Sequence, residues 1–363
     1  MEMIKEEKVG NYMDSFLQED LELISESNIP IKDMEKGIIL ITGATGLIGS
    51  LLVKTFACLN RRKHADIKIL ALVRNVEKAK KIFGDILQSE EVELVVGDIT
   101  EPLNIKGNVD YIIHCASVTT SKVMISSPVN VIYTSLNGTE NILELAKEKN
   151  IKSMVYVSSM EVYGTFEIEP KQKVTEEMLG YINPLSIRSN YPESKRMCEN
   201  MCVAYASQYN VPVKIARLAQ TFGAGVLSGE NRVFAQFARS VIEGKDIILH
   251  TAGKSEGNYC YTRDVIKALL ILLNKGKDGE AYNIANEECH ITISEMAHMV
   301  AEDLAEGAIE VVFDIPETNL YGYAHDTKMH MDSSKMQKLG WYPEVNLKDA
   351  YRRLIGSMKC QNI

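Results

Sequence analysis

The sequence predicts an α/β protein: a doubly wound parallel sheet followed by a smaller C-terminal α/β lobe. Three observations predict it. From residue 38 onward, short apolar runs alternate with segments of helical periodicity. Parallel strands cannot be joined by tight turns and take crossover helices, so this alternation marks a parallel sheet with helices on both faces. The alternation turns irregular after Arg217, which sets a regular half apart from a smaller remainder. The 363-residue chain is 45% apolar and 25% charged, enough apolar material for a sizeable core.

The first run, Ile38-Ile39-Leu40-Ile41-Thr42, is short, apolar and closed by glycine, as a buried strand is. A helix is expected over residues 47–58, a strand over 67–73, a helix over 76–87 and a strand over 92–96. Residues 111–114 make a fourth strand, 137–149 a helix, 153–157 a fifth strand, 192–208 a helix and 211–216 a sixth strand. Beyond Arg217 the pattern gives a helix at 233–243, a strand at 247–250, a helix at 264–273 and a short strand at 281–284. Helices at 294–304 and 347–358 flank a strand at 309–313. The chain thus divides into an N-terminal extension (1–37), a sheet domain (38–217) and a C-terminal lobe (218–363), some of whose segments return to the sheet.

Composition narrows the partners. A net charge of -9 argues against a general nucleic-acid binder, because phosphate contacts need a basic face. No run of about 18 apolar residues occurs, which speaks against a membrane-spanning helix. The N-terminus has no basic segment followed by an apolar stretch, so no secretory signal is read there and a soluble, cytoplasmic protein is expected. Seven cysteines are scattered without a CxxC pair. Cys198 and Cys202 lie one helical turn apart and Cys289 precedes His290, but no second pair at ligand spacing joins them. Reduced structural thiols are the reading, and no metal is expected.

The first strand runs directly into Gly43-Ala44-Thr45-Gly46-Leu47-Ile48-Gly49, with glycines at GxxGxxG spacing. One glycine makes the tight turn, one admits close backbone approach to a pyrophosphate, and one lets helix pack closely on strand. Free N–H groups at the helix start then receive the phosphates. Between a strand and a helix at the head of an alternating chain, the motif predicts a Rossmann-type dinucleotide site. Gly43, Gly46, Leu47, Ile48 and Gly49 would surround the pyrophosphate; an ordinary glycine-rich turn is the plainer alternative. The second strand ends in Leu72-Val73-Arg74-Asn75, with no acid for the ribose hydroxyls. Arg74 offers a guanidinium suited to a 2′-phosphate, which favours NADP over NAD. Asp98 and Ile99, after the third strand, are placed to contact adenine, and Ala116 and Ser117 close the fourth strand beside the cofactor.

Tyr191-Pro192-Glu193-Ser194-Lys195 gives YxxxK at a helix start, which sets phenol and ammonium on one helical face. A tyrosine with a pKa of about 10 is a poor acid/base at neutral pH. An adjacent ammonium stabilises its phenolate and lowers that value. The plain alternative is an amphipathic helix start. Ser158-Ser159-Met160-Glu161-Val162-Tyr163-Gly164 follows the fifth strand. Ser159 can therefore meet Tyr191 at the strand's C-terminal edge and donate a hydrogen bond to the reacting oxygen.

Taken in order, TGATGLIG, VGDI, HCAS, SSMEVYG and YPESK make the chain resemble the extended short-chain dehydrogenase/reductase family, from about residue 38 to the last helix. The resemblance implies a nucleoside-diphosphate sugar as substrate, a homodimer, and Ser159, Tyr191 and Lys195 as the catalytic set. Glu161 matches an acidic position that dehydratases and UDP-glucuronate decarboxylases use after oxidation. Met160 departs from the aspartate of 4,6-dehydratases. Arg188, with Lys195, Arg196 and Glu199, is similar to the decarboxylase pattern RxxYxxxKRxxE. Gly257 stands where many members have a diphosphate-clamping arginine, and Gln220 where many have asparagine; Asn231 and Arg232 are the expected substitutes. Epimerase, decarboxylase and dehydratase stay open, as do an NADPH-consuming keto-sugar reductase and a non-catalytic NADP-binding protein.

Overall fold

A computed structural model describes residues 14–165, 172–227, 229–316 and 327–361. Helix α1 (Ser15–Glu26) precedes β1 (Ile38–Thr42), α2 (Leu47–Lys63), β2 (Lys68–Val73), α3 (Val76–Phe83) and β3 (Val92–Val96). Next come β4 (Tyr111–His114), α4 (Ser121–Ser126), α5 (Pro128–Lys149), β5 (Ser153–Ser159), α6 (Asn190–Tyr209) and β6 (Val213–Leu218). The second half adds β7 (Gln220–Phe222), α7 (Val233–Glu243), β8 (Ile247–Leu249), β9 (Glu256–Tyr261), α8 (Thr262–Lys275) and β10 (Ala281–Ile284). It ends with β11 (His290–Thr292), α9 (Ile293–Met299), β12 (Val311–Phe313), α10 (Ser334–Gln337) and α11 (Leu347–Cys360).

Seven strands form one sheet in the order β10-β6-β5-β4-β1-β2-β3, every neighbour parallel. The predicted doubly wound parallel sheet is the observed one. Its central strands are covered on both faces, which is why β1 and β4 read as near-continuous apolar runs rather than alternating ones. Strand order reverses between β1 and β4, and the crevice at such a switch point is where open α/β sheets take ligands. A three-stranded sheet, β11-β9-β7, and a parallel pair, β12-β8, make up the smaller remainder.

Several elements differ from expectation. Helix α5 starts at Pro128 instead of residue 137. Its first turns carry Asn130, Thr134, Asn137 and Gly138, which hide the helical period, while Pro128 at the first helical position is pre-set for it. Gly138 has a packing reason, since a side chain there would strike Ile99. Helix α2 runs on to Lys63, with Arg61, Arg62 and Lys63 favourably placed in its last turn. Helix α3 stops at Phe83, where Gly84 takes a positive φ of 50°. Helix α4 and strands β7 and β9 were not anticipated. The sequence of β9, Glu-Gly-Asn-Tyr-Cys-Tyr, shows no strand period, yet five of its six residues are buried between β11 and β7.

The N-terminal segment contributes α1, whose Leu17, Leu21 and Ile24 enter the main core against α2, α8 and α11. Its buried Asp20 accepts from the Tyr261 hydroxyl at 2.6 Å and pairs with Arg263 at 3.2 Å and Arg353 at 2.8 Å. Burial pushes the Asp20 carboxyl up, against the pull of these three partners. Helix α1 thereby ties the helix that follows the glycine motif to the last helix of the chain. Among the described residues, no helix is long and apolar enough to cross a membrane.

Candidate active site

The glycine motif forms a cradle that side chains would fill. Gly43 has a φ of 62°, and a Cβ on it would lie 2.8 Å from the Ala116 backbone. A Cβ on Gly49 would collide with the Gly43 carbonyl. Gly46 caps α2 without a side-chain bond, so the helix N-terminus, with Leu47 and Ile48 in its first turn, presents free N–H groups. Ser117 adds a buried hydroxyl with no hydrogen-bond partner in the protein. These features fit a dinucleotide: Gly43, Gly46, Leu47, Ile48 and Gly49 would hold its pyrophosphate, and Ala116 and Ser117 would flank it.

Under the cradle lies a buried hydrogen-bond chain that the sequence did not disclose. Ala116 N–H donates to Thr42 Oγ1 at 3.2 Å, and that hydroxyl lies 2.6 Å from His114 Nδ1. Thr139 gives its own proton to Cys198 and so accepts from His114 Nε2–H, 3.5 Å away, which leaves Nδ1 to accept from the Thr42 hydroxyl. Burial depresses His114 to about 3, so the ring is neutral. Thr139 continues the chain to Cys198 at 3.3 Å. Cys198 and Cys202 are buried, and among the described residues no group of three or more His, Cys, Asp or Glu is placed to hold a metal.

At the other end of the crevice, Arg74 is 74% exposed and reaches Asp98 at 3.6 Å. Asp98 also accepts from the Thr100 amide and hydroxyl, which hold its carboxyl below the usual range with help from Arg74. The Ile99 side chain packs against α5 at Gly138, and its carbonyl accepts from Asn141 Nδ2 of the same helix at 2.8 Å.

Strand β5 reaches Ser159, two residues beyond expectation, and α6 begins at Asn190, so both lie at one edge of the sheet. Tyr191 is 7% and Lys195 3% exposed. The Lys195 ammonium donates to the Val157 carbonyl at 2.7 Å and sits 5.9 Å from the Tyr191 ring centre. Burial drives the Tyr191 hydroxyl up to about 12 and Glu161 adds to this, while Ser159, by a side-chain hydrogen bond, and Arg188 and Arg232, by charge, pull it back. Burial likewise pulls the Lys195 ammonium below its ordinary range.

Glu161 stands beside Tyr191 in an ion pair. The side chain is 36% exposed and paired with Arg188 at 3.0 Å. Arg188 lies 5.8 Å from the Tyr191 ring centre, and its Nη1 is buried without a partner. Backbone geometry explains the turn: Ser159 caps a tight 3-10 turn, accepting from Glu161 N–H at 3.2 Å. Of the remaining residues, half-buried Gln220 lies on β7 in register with Tyr259. A Cβ on buried Gly257 would meet Met160 Cε at 3.8 Å and Met329 O at 3.9 Å, ordinary contact distances. Arg232 pairs with Glu230 at 2.7 Å, and Asn231 is exposed beside it at the head of α7.

Residues 39–285 match the NAD dependent epimerase/dehydratase family. The chain is 30% identical over 354 residues to UDP-glucuronic acid decarboxylase 1 of Xenopus tropicalis, covering 96% of this chain and 77% of that protein. It is 31% identical over 314 residues to UDP-glucuronic acid decarboxylase 3 of Arabidopsis thaliana, covering 86% of each. Among solved structures, UDP-glucuronic acid 4-epimerase from Bacillus cereus, in complex with UDP-glucuronic acid and NAD, superposes with a TM-score of 0.71. That likeness covers 90% of this chain and all of the other at 20% identity, and shows the shared fold.

A histidine kept neutral by burial ties stability to pH. The folded protein binds no proton at His114 above about pH 3, whereas the unfolded chain binds one below about pH 6.5, so stability falls as pH drops through that window. His114→Gln is expected to flatten the pH dependence of urea unfolding between those limits. An unchanged slope would assign the acid sensitivity to other groups.

Proposed function

Because the chain belongs to the NAD dependent epimerase/dehydratase family, we propose that it modifies a nucleoside-diphosphate sugar through a 4-keto stage, with Tyr191 as proton shuttle. The supporting observation is the packing of Tyr191 and Lys195 from α6 against the last residues of β5, at the open edge beside the glycine cradle. When bound, the dinucleotide supplies a hydride acceptor whose oxidised ring also carries positive charge. Tyr191 removes the proton from the sugar hydroxyl, Ser159 hydrogen-bonds the reacting oxygen, and the Lys195 ammonium stabilises the phenolate. Once the ring holds a 4-ketone, a proton or carboxylate on the next carbon is labile, because the charge left behind delocalises into the carbonyl. Glu161 is the base we assign to that carbon, held by Arg188 beside Tyr191. Gln220, Asn231 and Arg232 are the assigned contacts to the diphosphate end.

The decarboxylase relatives make UDP-glucuronic acid the first substrate to try. Purified protein is to be incubated with a panel of nucleotide sugars and followed by product mass and absorbance at 340 nm. Loss of CO₂, loss of water or unchanged mass separates decarboxylase, dehydratase and epimerase, and net NADPH consumption marks a reductase. Tyr191→Phe should lower turnover by about 10²–10⁴-fold with cofactor affinity retained; a near-normal rate removes Tyr191 from the mechanism. Glu161→Gln should still reduce the cofactor yet form no product altered at the neighbouring carbon. Full product formation by that variant leaves C4 epimerisation or plain ketone reduction.

Exposed Arg74, with no acid at the end of β2, favours NADP(H) and with it the reductase reading. A 2′-phosphate there would compete with Asp98 for the guanidinium. Arg74→Ala is expected to weaken NADP(H) far more than NAD(H) in calorimetry; equal losses would overturn the assignment.

We also propose a homodimer. Helices α5 and α6 pack side by side and expose Val129, Tyr133 and Met197, apolar groups that a second copy would cover. Light scattering should give twice the chain mass, and Tyr133→Glu should halve it; a monomeric wild type contradicts the assignment.

A further inference from the structure

Three neighbouring residues of β5 hold three successive turns of α6. Ser159 pulls the pKa of the Tyr191 hydroxyl down, the Val157 carbonyl accepts from Lys195 at 2.7 Å, and Ser158 Oγ donates to Glu199 Oε1 at 2.6 Å. Tyr191, Lys195 and Glu199 are four residues apart, so they stand on one helical face about 6 Å apart along the axis. The parallel register sets Ser158 opposite Arg217 of β6, and both side chains meet Glu199. Arg217 binds that carboxylate through Nε at 3.0 and 3.2 Å and Nη2 at 2.7 Å. Its other terminal nitrogen donates to the Tyr163 hydroxyl at 3.1 Å and the Glu176 carbonyl at 2.8 Å. Glu199 and Arg217 are both buried, an arrangement stable only when each charge is paired and hydrogen-bonded.

We propose that Glu199, paired with Arg217 and hydrogen-bonded by Ser158, is a positioning residue of the active site. It pins α6 to β5 and β6 one turn beyond Lys195, and its negative charge keeps the Lys195 ammonium charged beside Tyr191. The inference rests on the roles proposed above for Tyr191 and Lys195. The groups facing Lys195 are Cys198, Glu199 and Cys202 of its own helix, His114 and Cys115 at the end of β4, the Tyr156 ring of β5, and Tyr191. Glu199 is the carboxylate among them. Burial works against the ammonium and Glu199 works for it. Burial also works against the Arg217 charge, but its bonds to Glu199 hold that guanidinium above its ordinary range.

The test reads Lys195 directly and needs no sugar substrate, so it stands apart from the test of the proposed reaction. Holoprotein with lysine labelled at Cε by carbon-13 is titrated by NMR, the Lys195 signal being identified by its loss in Lys195→Arg. Glu199→Gln removes a supporting anion and leaves Arg217 unpaired; both effects lower the Lys195 midpoint, by about one pH unit. Arg217→Gln leaves the anion unshared and should raise it. General loosening of the fold cannot move the midpoint in opposite directions. Midpoints that stay put, or move together in variants that melt cooperatively, overturn the proposal. If either single variant fails to fold, the exchanged pair Glu199→Arg with Arg217→Glu restores a paired interior. It too should lower the midpoint, and an unmoved midpoint there likewise overturns the proposal.

Discussion

A buried ammonium is expensive, and the candidate active site is organised around one. Lys195 lies beneath the surface with one carbonyl of the central sheet as its direct hydrogen-bond acceptor. It also lies 4.7 Å from the centre of the Tyr156 ring. Such a group stays charged only in a site that supplies fixed dipoles and anions. The end of β5 supplies the carbonyl, α6 supplies Glu199, and β6 supplies the arginine that keeps Glu199 paired. The strands that carry these groups are parallel neighbours whose ends lie at one edge, so the sheet's register is also the register of the site.

The same network reaches the smaller lobe. Tyr163, bonded by Arg217, donates to Asn283 Oδ1 at 2.5 Å. The Asn283 amide donates to the carbonyls of Val174 and Asp332, at 2.9 Å each. Asn283 lies on β10, the strand that returns to the sheet edge beside β6. A buried side chain of the seven-stranded sheet thus orders two segments outside it. On the opposite side, α1 packs against α2 and joins α8 and α11 through Asp20 and its arginines. The cofactor cradle and the crevice are therefore braced from both ends of the chain.

Glu161 shows what local geometry adds to a sequence match. Its position matches an acidic residue of dehydratases and decarboxylases, which says nothing of what holds it. The 3-10 turn capped by Ser159 brings it to Arg188, three residues before Tyr191. A carboxylate paired in this way is oriented rather than stripped of solvent, and the pair flanks the Tyr191 ring.

What the sequence by itself determined is what local rules encode. The glycine spacing specifies a turn and a helix start, the apolar runs specify buried parallel strands, and YxxxK specifies two groups on one helical face. Each depends on residues a few positions apart. Helix α5 was seen only from its middle, because its polar first turns owe their helicity to packing against β4, α4 and α6. Strand β9 was not seen at all, since its burial comes from partners far along the chain. The same holds for the links between Thr42 and His114, Ser158 and Arg217, and Arg188 and Glu161. Glu199 was legible as one more turn after Lys195, but not its partner. Which buried polar groups meet is set by strand register and by the docking of helix on sheet, and only the assembled tertiary structure decides those.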